Sequence, residues 1–382
     1  MIKRLRQEDY EDIVTLSEYA FQYKLKDEDK EAKRKQFQTQ IILGIKERET
    51  LAAKLHIIPL EVYMGNARYN MGGIASVSTY PEYRRKGYVR KLLAESLSVM
   101  KDNNQTVSML HPFQVGFYRK FGWELFVNLK KVSVTQEELK PFPSKRGKIK
   151  RYNKHDFPDD LYKLYDLYAK DYNGGIYRTK DWWKERSIAD LTVGVYFNDS
   201  DEAQGYILYT IKDRKMKVEE MISITPDAKK GLWNFICQHD SMISGVDLVL
   251  QNNDPLVFML QNPRVKTEIH PYFMARIVDV EGFLLQHLNN IAEEVHLLLT
   301  VRDEVATWNN KTFSVSCDNV KETLVSNQKD ITMSIQALAA LAFGVYNAKQ
   351  LNDMGLIKTT REQTEQLTIL FPESGPFFSD FF

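Results

Sequence analysis

Arg84-Arg85-Lys86-Gly87-Tyr88-Val89-Arg90 sets four cationic side chains around one glycine, between the strand-like Val77-Ser78-Thr79 and an amphipathic run. Free N–H groups at a helix start, a glycine that admits close backbone approach, and guanidinium groups together suit a pyrophosphate. A solvated basic turn is the alternative reading of the same residues. The spacing matches neither G-x-G-x-x-G nor G-x-x-x-x-G-K-[ST], which argues against a dinucleotide fold and a P-loop ATPase. Farther on, Tyr118 stands in Val115-Gly116-Phe117-Tyr118-Arg119-Lys120-Phe121-Gly122-Trp123. A phenol is protonated at neutral pH and can donate a proton, although from position alone a satisfied, half-buried Tyr is the plainer reading. His111 is read as structural. The run "GPFFSDFF" at residues 375–382 is apolar where chain ends are usually polar and frayed. Such a tail is either packed into the body or placing a carboxylate. Asp380 within it is read as solvated.

These residues need elements to hold them. A short strand, a turn at Gln7-Glu8-Asp9 and a helix with an Ile13, Leu16, Tyr19, Ala20 stripe open the chain. Successive strands run from Gln40 to Thr79, where Pro81 ends the last. The loop then enters a helix whose apolar face is Val89, Leu92, Leu93, Ser96, Leu97 and Met100. "TVSMLHP" reads as a strand, Phe113 to Lys120 as a short helix, and "FGWELFVNLKKVSV" as a last strand region. The basic, proline-bearing Lys140–Asp156 stretch reads as a linker, with a strand in "GKIKRY" left open. A second block repeats the order strand, Pro, amphipathic helix in "MISITPDAKKGLWNFICQH", without the "RRKGY" sequence. This is a degenerate internal repeat or a coincidence. A third block, from about Gly282, alternates short strands with the apolar Ile335–Tyr346 segment, which is too short to span a bilayer and reads as a buried helix.

The 52 Lys and Arg against 51 Asp and Glu exclude the basic bias of a general nucleic-acid binder. Cys237 and Cys317 lie in no metal-like cluster and imply no disulfide framework. The first residues lack a signal-peptide core, so a cytoplasmic protein is expected. Asp27, Glu28, Asp29 and Glu31 offer acidic groups for a cationic substrate, but a solvent face is the plainer reading.

"VSTYPEYRRKGYVRKLL" resembles the coenzyme-binding motif of the GCN5-related N-acetyltransferases (GNAT), whose R/Q-x-x-G-x-G/A loop holds the pyrophosphate of acetyl-CoA. Val89 and Arg90 depart from it where small residues are common. The "V-x-x-x-P-x-x-R-R-x-G" form and "VGFYRKFGW" resemble the Eis-like branch (enhanced intracellular survival proteins). The resemblance covers nearly the whole chain. It implies an α+β fold with a catalytic GNAT domain (1–140), a degenerate GNAT-like domain (150–280) and a sterol-carrier-protein-2-like domain (281–382) that supplies the C-terminus. It further implies acetyl-CoA as co-substrate and no metal. Val77, Ser78, Thr79, Arg85, Lys86, Gly87, Tyr88, Val89, Arg90, Phe113 and Gln114 would contact the coenzyme. Tyr118 would be the general acid and the Phe382 terminal carboxylate the general base. The implied activity is direct acetyl transfer to small-molecule or lysine primary amines, aminoglycoside-like amines among them. Another acyl-CoA, a peptide or protein amine, and a non-catalytic CoA- or lipid-binding sensor are the rival readings. A homo-oligomer, hexameric in that family, with no nucleic-acid or membrane partner, completes the expectation.

Overall fold

A computed structural model describes residues 1–143, 146–291, 293–316, 319–324 and 330–382. Cys317 lies outside the described residues, whereas Cys237 is a buried free thiol.

The chain opens with strand β1 (Ile2–Arg4), helices α1 (Tyr10–Phe21) and α2 (Lys30–Gln38), and the long antiparallel strands β2 (Ile41–Glu47), β3 (Thr50–Met64) and β4 (Ala67–Thr79). Helix α3 (Tyr88–Asp102) leads into β5 (Val107–Leu110), which pairs parallel to β4, and α4 (Val115–Arg119) follows. Helix α3 covers the sheet with Leu92, Leu93, Leu97 and Met100, all fully buried. At about 1.5–3 kcal/mol per buried side chain, this face alone fixes the helix on the sheet. Helix α1 buries Tyr10, Ile13, Val14, Leu16 and Ser17. Its expected stripe is rotated: Tyr19 is exposed and meets the Tyr80 ring at 5.3 Å.

The sheets cross the linear blocks. The first continues from β5 to Met274–Ile277 and then to Glu124–Leu125, while Asn173–Ile176 pairs with β3. Asn128–Thr135, in contrast, lies inside the second, seven-stranded sheet, between Gly245–Gln251 and Lys266–Pro271. Each of the first two units therefore completes the other's sheet. The stretch read as a linker contains an edge strand, Lys148–Tyr152. Its charged residues suit an edge that must not pair with another chain. The third unit is a four-stranded sheet backed by Val280–Leu288 and by Ile335–Ala342, a helix buried at every residue but Gln336. Among the described residues no helix is long and apolar enough to cross a membrane.

Candidate active site

Strands β4 and β5 hydrogen-bond only as far as Ile74↔Leu110, yet β4 runs on to Thr79. The strands part there, and backbone groups along the outer edge of Ala75–Thr79 lose their strand partner. On the opposite edge, pairing passes from Lys54↔Ser78 to His56↔Ala75, so Ser76 and Val77 bulge against Leu55 alone. Ser76 has φ +52°, unusual for a residue with a Cβ. Bulges of this kind re-aim a strand locally and recur beside active sites.

The bulge is held from below by a buried basic pair. Lys54 Nζ donates to the Ser76 carbonyl (3.2 Å) and Oγ (2.9 Å), and lies 3.1 Å from His56 Nε2. His56 Nδ1 is 2.7 Å from Gln40 Oε1. Burial pulls Lys54 down to about 7 and holds His56 well below the ordinary imidazole value, Lys54 adding to the effect on His56. Nothing in the local sequence signalled this pair, because its burial follows from the sheet register.

The opened edge faces a cavity of about 1240 Å³. Val77, Ser78 and Thr79 line it from the strand, and Arg85, Gly87, Tyr88, Val89 and Arg90 from the loop and the start of α3. Phe113, Tyr118 and Phe382 line it from across the gap. Lys86 and Gln114, also expected there, are not among its walls: Lys86 Nζ rests 4.9 Å from the Tyr83 ring, and Gln114 stands just before α4 in extended backbone, without a side-chain bond to the helix start. At Gly87 φ is +76°, and a Cβ there would meet nothing within 4 Å. Glycine is thus required by the backbone conformation, not by crowding. No described carboxylate forms an ion pair with Arg84, Arg85 or Arg90. The Thr79 hydroxyl is buried without a hydrogen-bond partner. Free cations, an uncapped helix start and an orphaned hydroxyl along one wall fit a polar, anionic ligand with an extended arm.

Tyr118 is 3% exposed and edge-on to Phe113 (5.4 Å) and Phe117 (5.2 Å). Its hydroxyl has no partner among the described residues, and burial raises its pKa above the usual phenol value, so the proton stays on oxygen. The turn after α4 is fixed by residues of the second and third units. Buried Arg276 donates to the Phe121 carbonyl and pairs with Asp303, and Gln336 Nε2 donates to the Arg119 carbonyl at 2.8 Å. Gly122, at φ +88°, leaves the room Arg276 needs, since a Cβ would come within 2.6 Å of Nη1.

The tail arrives from the other side. Phe377 N–H donates to the Asn173 carbonyl (2.9 Å), and its ring packs among Tyr165, Tyr168 and Tyr172. Phe378 stacks against Phe273 at 4.4 Å. Phe382 covers Gly73 on β4, where a Cβ would approach its ring to 2.7 Å. Phe381 is 58% exposed, 5.3 Å from the His111 ring, and lines the cavity. His111 also lines it, and partial desolvation lowers its pKa, leaving the imidazole neutral.

Asp380 is buried, contrary to the solvated reading. Arg178 Nε donates to both its oxygens (3.0 and 3.1 Å), Trp182 Nε1 to Oδ1 (2.8 Å), and Tyr272 to its carbonyl (2.8 Å). Arg178 also pairs bidentately with Glu220 (2.9 and 2.6 Å). Burial raises Asp380 and also opposes the Glu220 charge, but Arg178 leaves Glu220 net lowered. One guanidinium thus serves two carboxylates, and the network ties the tail to the second unit.

Residues 1–126 and 174–277 each match the model of an acetyltransferase (GNAT) domain, and residues 280–379 that of a sterol carrier protein domain. N-acetyltransferase Eis of Mycobacterium tuberculosis is 23% identical over 321 residues, covering 80% of this chain and 77% of the relative. An N-acetyltransferase of Streptomyces griseus is 22% identical over 328 residues, 78% of each chain. A solved structure from Enterococcus faecalis, described as a probable N-acyltransferase, superposes at TM-score 0.91 with 24% identity, covering 100% of this chain and 99% of that one. Eis1 of Mycobacterium abscessus superposes at 0.81 with 19% identity, covering 100% of both.

Proposed function

We propose that the chain belongs to the Eis-like branch of the GCN5-related N-acetyltransferases and moves an acetyl group from acetyl-CoA to a primary amine in a ternary complex. What carries this reading is the convergence of a parted strand edge, an unpaired cationic loop, Tyr118 and the Phe382 end on one cavity. The Arg85–Arg90 loop and Thr79 would take the coenzyme's phosphates and its amide arm.

Transfer forms a C–N bond at the amine, breaks the thioester C–S bond and expels a thiolate. The free N–H groups of Ala75–Thr79 are placed to polarise the reacting carbonyl. Tyr118 gives its proton to the departing sulfur, and solvent restores it. The Phe382 carboxylate takes the amine proton, directly or through water. An ordinary carboxylate is a weak base for an ammonium, so its part is chiefly to orient the amine. The three-part division at 1–140, 150–280 and 281–382, a homo-oligomeric assembly and a cytoplasmic location belong to the same proposal.

The test is acetylation of an amine panel followed by mass spectrometry, on the chain as given and on one extended past Phe382. A fold-preserving extension should lower kcat at least tenfold. Normal turnover in the extended chain removes the Phe382 carboxylate from the mechanism, and no acetylated product removes the transfer reading.

A further inference from the structure

The acceptor side of the cavity carries the wrong charge for a polycation. Among the described residues, no Asp or Glu side chain lines it; the acidic Asp27, Glu28, Asp29 and Glu31 are exposed and are spoken for by salt bridges to Lys30, Lys26 and Lys35 or by solvent. In their place stand Lys33 and Arg186, with His56 behind them.

Lys33 lies on α2, half-buried, its Nζ donating to Gln36 Oε1 (2.9 Å) and lying 5.4 Å from the Phe37 ring. Arg186 comes from the second unit, on a π-helical turn, Trp183–Ile188. Such wide turns cost regularity and concentrate at functional sites. The guanidinium lies 5.4 Å from the Trp182 ring and has no ion pair among the described residues. Burial lowers its pKa, and two carboxylates oppose this: first Glu185, its neighbour on the same turn, and then Asp380, whose oxygens are committed to Arg178 and Trp182. Lys33 is lowered first by burial and then by the Arg186 charge. Two like charges from separate units, facing one cavity with neither in an ion pair among the described residues, are unfavourable together and favourable once an anion arrives. They sit on other elements than the Arg84–Arg90 loop, so the coenzyme's phosphates already have their own partners.

We propose that Lys33 and Arg186 form an anion subsite, and that the acceptor is an amine which also carries a carboxylate or phosphate. This rests on the transferase reading and narrows it. The anionic group docks between the two cations and leaves the amine toward Tyr118 and Phe382. A multiply charged aminoglycoside or polyamine would meet the same cations as repulsion.

Matched acceptors test it at saturating acetyl-CoA: glucosamine 6-phosphate against glucosamine, 5-aminopentanoate against pentylamine, and spermidine as the polycation. The anionic member of each pair should have at least tenfold higher kcat/KM. Lys33→Gln and Arg186→Gln should each raise KM for that member about tenfold, with KM for acetyl-CoA within twofold. A wild-type preference for the neutral or polycationic amine overturns the proposal. So does an unchanged ratio in both variants, or a rise in KM for acetyl-CoA, which would give the cations to the coenzyme. If no amine is acetylated, the transfer reading fails separately. Calorimetric binding of glucosamine 6-phosphate, lost in Arg186→Gln, still supports the subsite, and absence of binding to the wild-type chain overturns it.

Discussion

Past Ile74, the strand edge in the first GNAT-like unit faces an open cavity; past Val218, the matching edge in the second faces the chain's own tail. The second unit's Lys215–Ser223 and Gly245–Gln251 strands also pair in parallel and part early, after Val218↔Leu248. There the gap is only about 270 Å³ and is lined by Glu220, Met221, Phe377, Phe378 and Ser379. The helix starts differ as well. Helix α3 begins at Gly87, in the left-handed region, with no side-chain cap. The Pro226–Cys237 helix begins with Pro at its first turn, and Thr225 Oγ1 accepts from Ala228 N–H at 3.2 Å. Its Lys229 is neutralised by Asp254 at 2.5 Å, and its Gly231 makes room for the Tyr196 ring. In the second copy the helix start is capped by its own side chain and Lys229 is paired internally. The first copy leaves its helix start uncapped and its loop arginines without ion pairs among the described residues, and adds a buried lysine with no carboxylate. The difference is what a stability–function trade looks like at residue level.

Four perturbations probe this contrast. Arg178→Met should be the most damaging, because it strands two buried carboxylates and frees the tail; about 3–5 kcal/mol is expected. Urea unfolding measures it, and activity should fall with tail detachment. Next, Lys54→Met should alter the pH dependence of stability. Lys54 titrates at about 7 when folded against 10.5 unfolded, so between these values the unfolded chain binds more protons and stability rises with pH. That contribution, up to about 1.4 kcal/mol per pH unit, should vanish in the variant. Third, Gly87→Asp should weaken acetyl-CoA binding tenfold or more by calorimetry and cost about 1–2 kcal/mol in stability for a side chain at positive φ, whereas Gly231→Asp should lower Tm by clashing with Tyr196 and leave no coenzyme site to lose. Equal effects of the two would erase the contrast. Smallest, Thr225→Ala should cost about 1 kcal/mol in stability and leave coenzyme affinity unchanged.

The sequence made legible what is local. The 84–90 loop, the Leu92–Met100 face of α3 and the short helix carrying Tyr118 depend on neighbours within a few residues, although the turn after that helix is held by Arg276 and Gln336. Strand exchange was not legible: Asn128–Thr135 and Met274–Ile277 have ordinary strand patterns, and nothing in a period-2 pattern names the partner sheet. The Arg178–Glu220–Asp380 network hid for the same reason, its members being brought together only by tertiary packing. The tail was half legible. Its apolar run announced packing, but Phe381 proved to be a cavity wall while the charged Asp380 went inside.

In the proposed mechanism the first cleft transfers acetyl groups with Tyr118 as proton donor. Steady-state kinetics of Tyr118→Phe against wild type test it most directly. The account predicts a fall in kcat of about a hundredfold or more with KM for acetyl-CoA within twofold. An unchanged kcat would contradict it.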